Sequence, residues 1–294
     1  MSQDQLMAVL QRGAQNPPPL EGGPQALRAW FEGSMAPVPT AEGVSIEPLD
    51  IDGLPCELLR PDGAAIGDLL LYFHGGGFVF GSPRSHRVIA SNLARASGKT
   101  VLSAQYRLTP EHPAPAAHDD AFALWKWVLA QGYAPGRVAI AGDSAGGNLA
   151  LATAVRARDA KLPLPGALVL LSPALDFADE GESHRSMADA PLVNAAFSAM
   201  FTGAYLGALD RRSPLATPFA ASLAGLPPVL VHVGTWEFLR DDSVTIAERL
   251  RAAGVRVELK LWEGMCHNHQ LWAPFIDEGM ASLDEAGAFV RATL

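Results

Sequence analysis

The stretch AGDSAGGNLALA, residues 141–152, sets Ser144 between Gly142 and Gly146 and then turns apolar. A serine in the G-x-S-x-G spacing is a candidate acyl-transfer nucleophile, because the glycines permit a turn tight enough to lift its hydroxyl off a sheet. The spacing alone is weak: at ordinary Gly and Ser usage it arises by chance in about one chain in ten of this length. Its surroundings strengthen it. RVAIAG (137–142) reads as a strand and AGGNLALATAV (145–155) as a helix, the strand–turn–helix that a nucleophile elbow requires. The Ala145 N–H then lies at a helix N-terminus, where unpaired amides favour a developing negative charge.

A second element, HGGGF (74–78), ends the apolar run DLLLYF. Its glycines expose backbone N–H groups that no side chain blocks. Gly75 and Gly76 are candidate donors to a tetrahedral oxyanion, with Ala145 as a third. A phosphate cradle expects G-x-G-x-x-G or a Gly-Lys-Ser/Thr ending, and neither occurs here.

A serine hydroxyl attacks only when a base takes its proton and an acid holds that base in the right tautomer. Of eight histidines, His267 and His269 share LWEGMCHNHQLW (261–272), a loop after the last strand-like run. His74 is placed to shape the glycine loop. His86, His112, His118, His184 and His232 sit in helical, proline-rich, loop or strand contexts that suit structural roles. For the acid, EFLRDD (237–242) follows a strand end and offers Glu237, with Asp241 as the alternative and as a helix N-cap candidate. Asp143 is expected to order the elbow. Asp119 and Asp120 are neighbours on a helix and point in different directions, so they do not make a carboxylate pair.

These residues must be held by a larger frame. VSIEPLD (44–50) and LPCELLRP (54–61) flank Asp52-Gly53, a hairpin signal. Six further apolar runs follow at 68–75, 99–106, 137–142, 167–173, 228–234 and 255–264, alternating with helix-like stretches at 86–97, 117–132, 145–160, 242–254 and 277–294. That alternation predicts a mostly parallel eight-stranded sheet with helices on both faces. Two regions break the rhythm: residues 1–43, two short helices around NPPPLEGGP (16–24), and residues 178–220, a polar loop followed by LVNAAFSAMFTGAYLGAL. Both are expected to fold over the C-terminal edge of the sheet, where α/β ligand sites form.

A net charge of −9 argues against nucleic acid or an anionic membrane surface as partner. Two distant cysteines, Cys56 and Cys266, make neither a disulfide scaffold nor a zinc site. No segment resembles a signal peptide or reaches the roughly 18 apolar residues of a membrane span, so a cytoplasmic protein is expected.

Taken together, HGGGF, YRLTPEHPAPAAHDDA (106–121), GDSAGGN (142–148) and the late acid–histidine pair resemble the hormone-sensitive-lipase-like branch of the α/β-hydrolases, the bacterial family IV esterases. The resemblance runs over about residues 68–270. It implies an α/β-hydrolase core (44–177 and 221–294), a helical cap from 1–43 and 178–220, and hydrolysis of short-to-medium acyl esters with no cofactor or metal. In that family the base follows Gly-Met-x, which favours His267 after Gly264-Met265-Cys266; the usual flanking proline and Gly-Phe are replaced here by Cys266 and Asn268-His269. The acid heads Asp-x-Leu-x-Asp, a position that Glu237 fills here. Ser144, Glu237 and His267 follow the chain order of α/β-hydrolase triads.

Trp30, Phe31, Met35, Phe78, Phe197, Met200, Phe201 and Tyr205 are candidate walls of an acyl slot, and Trp236 and Trp272 flank the acid and base. A small-molecule ester is the expected partner, with a homodimer through edge strands or the C-terminal helix as a further expectation. An amidase, deacetylase or lactonase would use the same triad. A non-catalytic receptor on this fold would be expected to lose the nucleophile or the base. A histidine base must be neutral, so activity should decline as pH falls below the ordinary histidine range, about 6–7.

Overall fold

The computed structural model describes residues 2–294. Two helices come first, α1 (Ser2–Ala14) and α2 (Gly23–Met35), followed by the hairpin β1 (Val44–Ile51) and β2 (Leu54–Pro61). The hairpin turns on Asp52 and Gly53, both at positive φ, and the Gly53 N–H donates to Asp50 Oδ1 at 2.9 Å. The twist of such a turn matches that of the flanking strands. Strands and helices then alternate: β3 (Leu69–Phe73), α3 (Arg87–Ser97), β4 (Thr100–Ala104), α4 (Ala116–Ala130), β5 (Val138–Asp143), α5 (Ala145–Asp159) and β6 (Ala167–Leu171). A short α6 (Ser183–Ser186) and the longer α7 (Ala195–Leu206) intervene before β7 (Val229–Gly234), α8 (Arg240–Ala252), β8 (Val257–Trp262) and α9 (Asp277–Thr293).

All eight expected strands are present in one sheet of order β1-β2-β4-β3-β5-β6-β7-β8. The β1–β2 and β2–β4 pairs are antiparallel and the remainder parallel. Strands β3 to β7 are buried along their whole length, as their unbroken apolar runs require. Alternation divides them between two cores. Leu71 and Phe73 pack with Trp125, Leu149 and Leu250 on one face, and Leu70 and Tyr72 with Ile89, Leu93 and Val290 on the other. Truncating the fully buried Trp125 to alanine would cost about 3–5 kcal/mol.

The two regions outside the alternation are helical as well. Leu6 and Val9 of α1 pack on Trp262, Met265 and Cys266, next to the loop after β8. Asn194 caps α7, accepting from the Phe197 N–H at 3.0 Å. Asp241 is not an N-cap: Leu239 holds that position, and Asp241 lies in the first turn of α8. Among the described residues, no helix is long and apolar enough to cross a membrane.

Candidate active site

The parallel strands deliver their C-terminal ends to one edge of the sheet, and the site is built there. Ser144 stands between β5 and α5 at φ 53°, ψ −119°, a conformation costing about 1–3 kcal/mol that a surrounding structure must enforce. The enforcement is steric. A Cβ on Gly142 would lie 2.1 Å from Gly146 O, and one on Gly146 would lie 1.9 Å from Phe73 O. Only glycine lets strand and helix approach so closely. The Ser144 N–H, donating to Leu171 O at 2.8 Å, pins the turn to β6.

Ser144 Oγ lies 3.0 Å from His267 Nε2, and His267 Nδ1 lies 2.7 Å from Glu237 Oε2. A carboxylate only accepts, so Nδ1 carries the proton and Nε2 is left to accept from the serine hydroxyl. Glu237 is fully buried, and its other oxygen accepts from Ser172 Oγ at 3.0 Å and the Gly234 N–H at 2.5 Å. The sequence-derived nucleophile, base and acid therefore meet in one hydrogen-bonded chain. The two alternatives do not join it. Asp241 accepts from the Ser183 N–H and from Arg240 instead. His269 is buried against Trp262, its Nδ1 3.3 Å from Cys266 O, and burial pushes its pKa down to about 3.

Asp143 orders the elbow, as expected, and its reach is wider than the elbow. Its carboxylate accepts from Tyr72 Oη at 2.5 Å, the Gly75 N–H at 3.0 Å and Asn268 Nδ2 at 2.6 Å. Burial raises its pKa, and the bond from Tyr72 pulls it back. His74 stacks on Tyr106 at 4.3 Å, with Nδ1 2.7 Å from Gly75 O, and thereby shapes the glycine loop. Burial pushes His74 and His86 down to about 3, so both stay neutral.

The chain Ser144–His267 opens into a cavity of about 900 Å³ lined mostly by apolar side chains. Its wall corrects one expected oxyanion donor. Gly75 does not reach the cavity, because its N–H is committed to Asp143. Gly76, Gly77 and Ala145 do line it, and the N–H groups of Gly76 and Gly77 have no protein acceptor among the described residues. The sequence does not single out Gly77 from its neighbours, because three equivalent glycines carry no signal for which one the carboxylate takes.

Of the expected wall residues, Trp30, Met35, Phe78 and Phe201 line the cavity, with Phe31, Phe197 and Trp272. Tyr205 does not. It is buried behind Phe78, stacked at 3.9 Å, and its hydroxyl lies 3.2 Å from His118 Nδ1. Trp236 and Met200 also miss the cavity; both are turned toward solvent, 38% and 41% exposed. At the α7 end the wall becomes polar with Asp176 and Asp242. Asp242 accepts from the Leu175 and Asp176 N–H groups and contacts His184 Nε2 at 2.8 Å.

The arrangement has known counterparts. A profile for the α/β-hydrolase fold matches residues 70–271, and a solved esterase from the bacterial hormone-sensitive lipase family superposes with a TM-score of 0.94 at 39% identity, over 99% of this chain and 98% of that one. The chain belongs to the hormone-sensitive-lipase-like branch of the α/β-hydrolases. The chain is also similar to an "Acetyl-hydrolase" of Streptomyces hygroscopicus, 44% identical over 226 residues and 76% of each chain. An "Esterase" of Acinetobacter venetianus is 34% identical over 97% of this hydrolase and 94% of that protein.

Proposed function

We propose that this hydrolase cleaves short-to-medium acyl esters of carboxylic acids through Ser144, His267 and Glu237 by way of an acyl-enzyme. Membership of the family makes it an ester hydrolase, and the observation carrying the finer reading is the Ser144–His267–Glu237 chain opening onto an apolar cavity beside free backbone amides. His267 takes the Ser144 proton as the hydroxyl attacks the ester carbonyl. The N–H groups of Gly76, Gly77 and Ala145 receive the oxyanion, each donor lowering the barrier by about 3 kcal/mol. Glu237 steadies the imidazolium, which then protonates the departing alcohol. Water, deprotonated by the same histidine, releases the acid and restores Ser144.

The helices within 1–43 and 178–220 serve as a cap that keeps bulk water from the acyl-enzyme, a reading supported by Trp30, Met35 and Phe201 lining the cavity. The acyl limit is supported by the aromatic wall beside the oxyanion loop, where the Phe201 ring would meet a Cβ on Gly77 at 2.9 Å. A cytoplasmic setting accords with two cysteines that are buried and unbridged.

The test is hydrolysis of p-nitrophenyl butanoate by the wild type and by Ser144→Ala. Turnover reduced on the order of 10⁴-fold or more in the variant is expected. No turnover in folded wild type would overturn the ester reading in favour of an amide or lactone substrate, or of a receptor.

A further inference from the structure

Asn268 follows the base and holds φ 50°, ψ 40°, a left-handed conformation. Asparagine tolerates that region better than most residues, yet tolerance does not account for its side chain. Nδ2 donates to Asp143 Oδ2 at 2.6 Å, while Oδ1 is buried with no partner among the described residues. The carboxylate accepts only, which settles the orientation of the amide. A half-paired buried amide is unfavourable unless its paired end is strong, and a bond to a buried carboxylate is strong.

What that bond connects is more telling. Asp143 precedes the nucleophile, and its other oxygen holds the N–H of Gly75, next to the oxyanion donors Gly76 and Gly77. On the opposite side of the base loop, the Asn268 N–H donates to Ser172 Oγ at 3.4 Å, and the Ser172 hydroxyl donates to Glu237. One residue thus touches the supports of nucleophile, oxyanion loop and acid while carrying the base beside it. An amide makes these bonds without adding a cation beside His267, which would oppose the proton transfer.

We propose that Asn268 is a positioning residue whose bond to Asp143 straps the base loop to the oxyanion loop and fixes His267 against Gly76 and Gly77. The role rests on the hydrolase reading, because it is a role within that reaction.

Two variants of the full chain test it. Asn268→Gly keeps the backbone conformation and removes the strap. Asn268→Asp keeps the shape but sets a carboxyl against Asp143, and the strap then forms only while the two share a proton. The other titratable groups facing this pair are Tyr72 from β3, His74 and His86 behind the glycine loop, and His267 with Glu237 across it. Tyr72 is held well above its usual range by burial, and His74 and His86 stay neutral. While the introduced carboxyl and Asp143 share a proton, the pair carries no more negative charge than Asp143 does alone, so at acid pH His267 sees the charge it sees in the wild type and the ratio of variant to wild type there reports the strap.

For Asn268→Gly, kcat is expected to fall about 10–100-fold at every pH with KM nearly unchanged, the scale of a small misplacement of reacting groups. For Asn268→Asp, the ratio to wild type is expected to climb about tenfold as pH drops from ~8.5 to ~5.5. A kcat for Asn268→Gly within about twofold of wild type, or a flat ratio for Asn268→Asp, overturns the proposal. Should Asn268→Gly fail to fold, the isosteric Asn268→Asp decides alone. Fluorophosphonate labelling rates of Ser144, measured in parallel, separate the two readings. A wild type that labels but does not turn over esters sinks the ester reading only, and the labelling rates of the variants still decide the strap.

Discussion

The floor and the roof of the cavity are built on different principles. On the floor, Ser144, His267 and Glu237 are each almost fully buried, and their polar atoms are matched at 2.5–3.0 Å by Ser172, Gly234 or one another. On the roof, α7 offers the apolar side chains of Phe197 and Phe201, with Leu192 just before it, which are partly exposed and make only packing contacts. Tight turns and buried hydrogen bonds leave no room for adjustment, whereas an aromatic wall can repack. On the proposed function, the floor would therefore fix the reaction and the roof would select what enters it.

The sharpest way to break that comparison is at the acid. Glu237→Gln keeps shape but withdraws the charge that stabilises imidazolium, and kcat is expected to fall about 10³–10⁴-fold. Asp241→Asn, one turn away and bonded to Ser183 instead, should stay within a few-fold. Steady-state kinetics on p-nitrophenyl butanoate distinguish them, and comparable losses in both would mean that the acid has been misassigned.

Acid stability probes the same contrast. Burial pushes His74, His86, His232 and His269 down to about 3, and His118 down to about 4. Their folded pKa values lie below the unfolded value, so the unfolded chain binds more protons once pH drops under about 6.5. Stability is whole above that point and drains away as pH falls toward 3–4. A melting temperature lower by about 10 °C or more at pH ~4 than at pH ~7.5 is expected. His184, beside the roof, runs the other way. Burial depresses it, but the hydrogen bond and charge of Asp242, with Asp176 and Asp179, outweigh that and leave it raised. Its contribution is present below about 6.5 and fades as pH rises through its folded value. In His184→Gln the melting deficit should shrink toward alkaline pH, and a constant deficit would show that the charge does not contribute.

The roof should yield most gently. Phe201→Ala widens the space beside Gly77, and the octanoyl-to-butanoyl ratio of kcat/KM should rise about tenfold, the scale of a few methylenes in an apolar pocket. An unchanged ratio would place the acyl limit elsewhere.

The same contrast explains what could be read from the sequence. Strand runs such as DLLLYF and ALVLLSP are legible because continuous burial demands continuous apolar residues, and the Asp52-Gly53 turn because positive φ selects its residues. Ser144 is legible for the same reason: Gly142 and Gly146 are the only residues its turn admits. Position after a strand narrows the base to His267 or His269 and the acid to Glu237 or Asp241, but the choice within each pair rests on a family pattern, since a histidine in a loop looks the same whether its neighbour is a serine or a core. The roof was legible only as aromatic. Tyr205 and Phe201 lie four positions apart on α7, yet one is buried against Phe78 and the other meets the cavity. Which side of a helix faces a ligand depends on what the distant chain places beneath it. The commitment of Gly75 to Asp143, which leaves Gly76 and Gly77 as the loop glycines lining the cavity, is hidden for the same reason.

The most direct measurement is to mix the enzyme with p-nitrophenyl butanoate, quench in acid during turnover, and locate the modified residue by peptide mass spectrometry. One butanoyl group is expected, on Ser144 in the peptide spanning β5 and α5, lost on standing at neutral pH and absent from Ser144→Ala. Turnover with no adduct on Ser144 after rapid quenching, or an adduct on another residue that survives in Ser144→Ala together with activity, would contradict it.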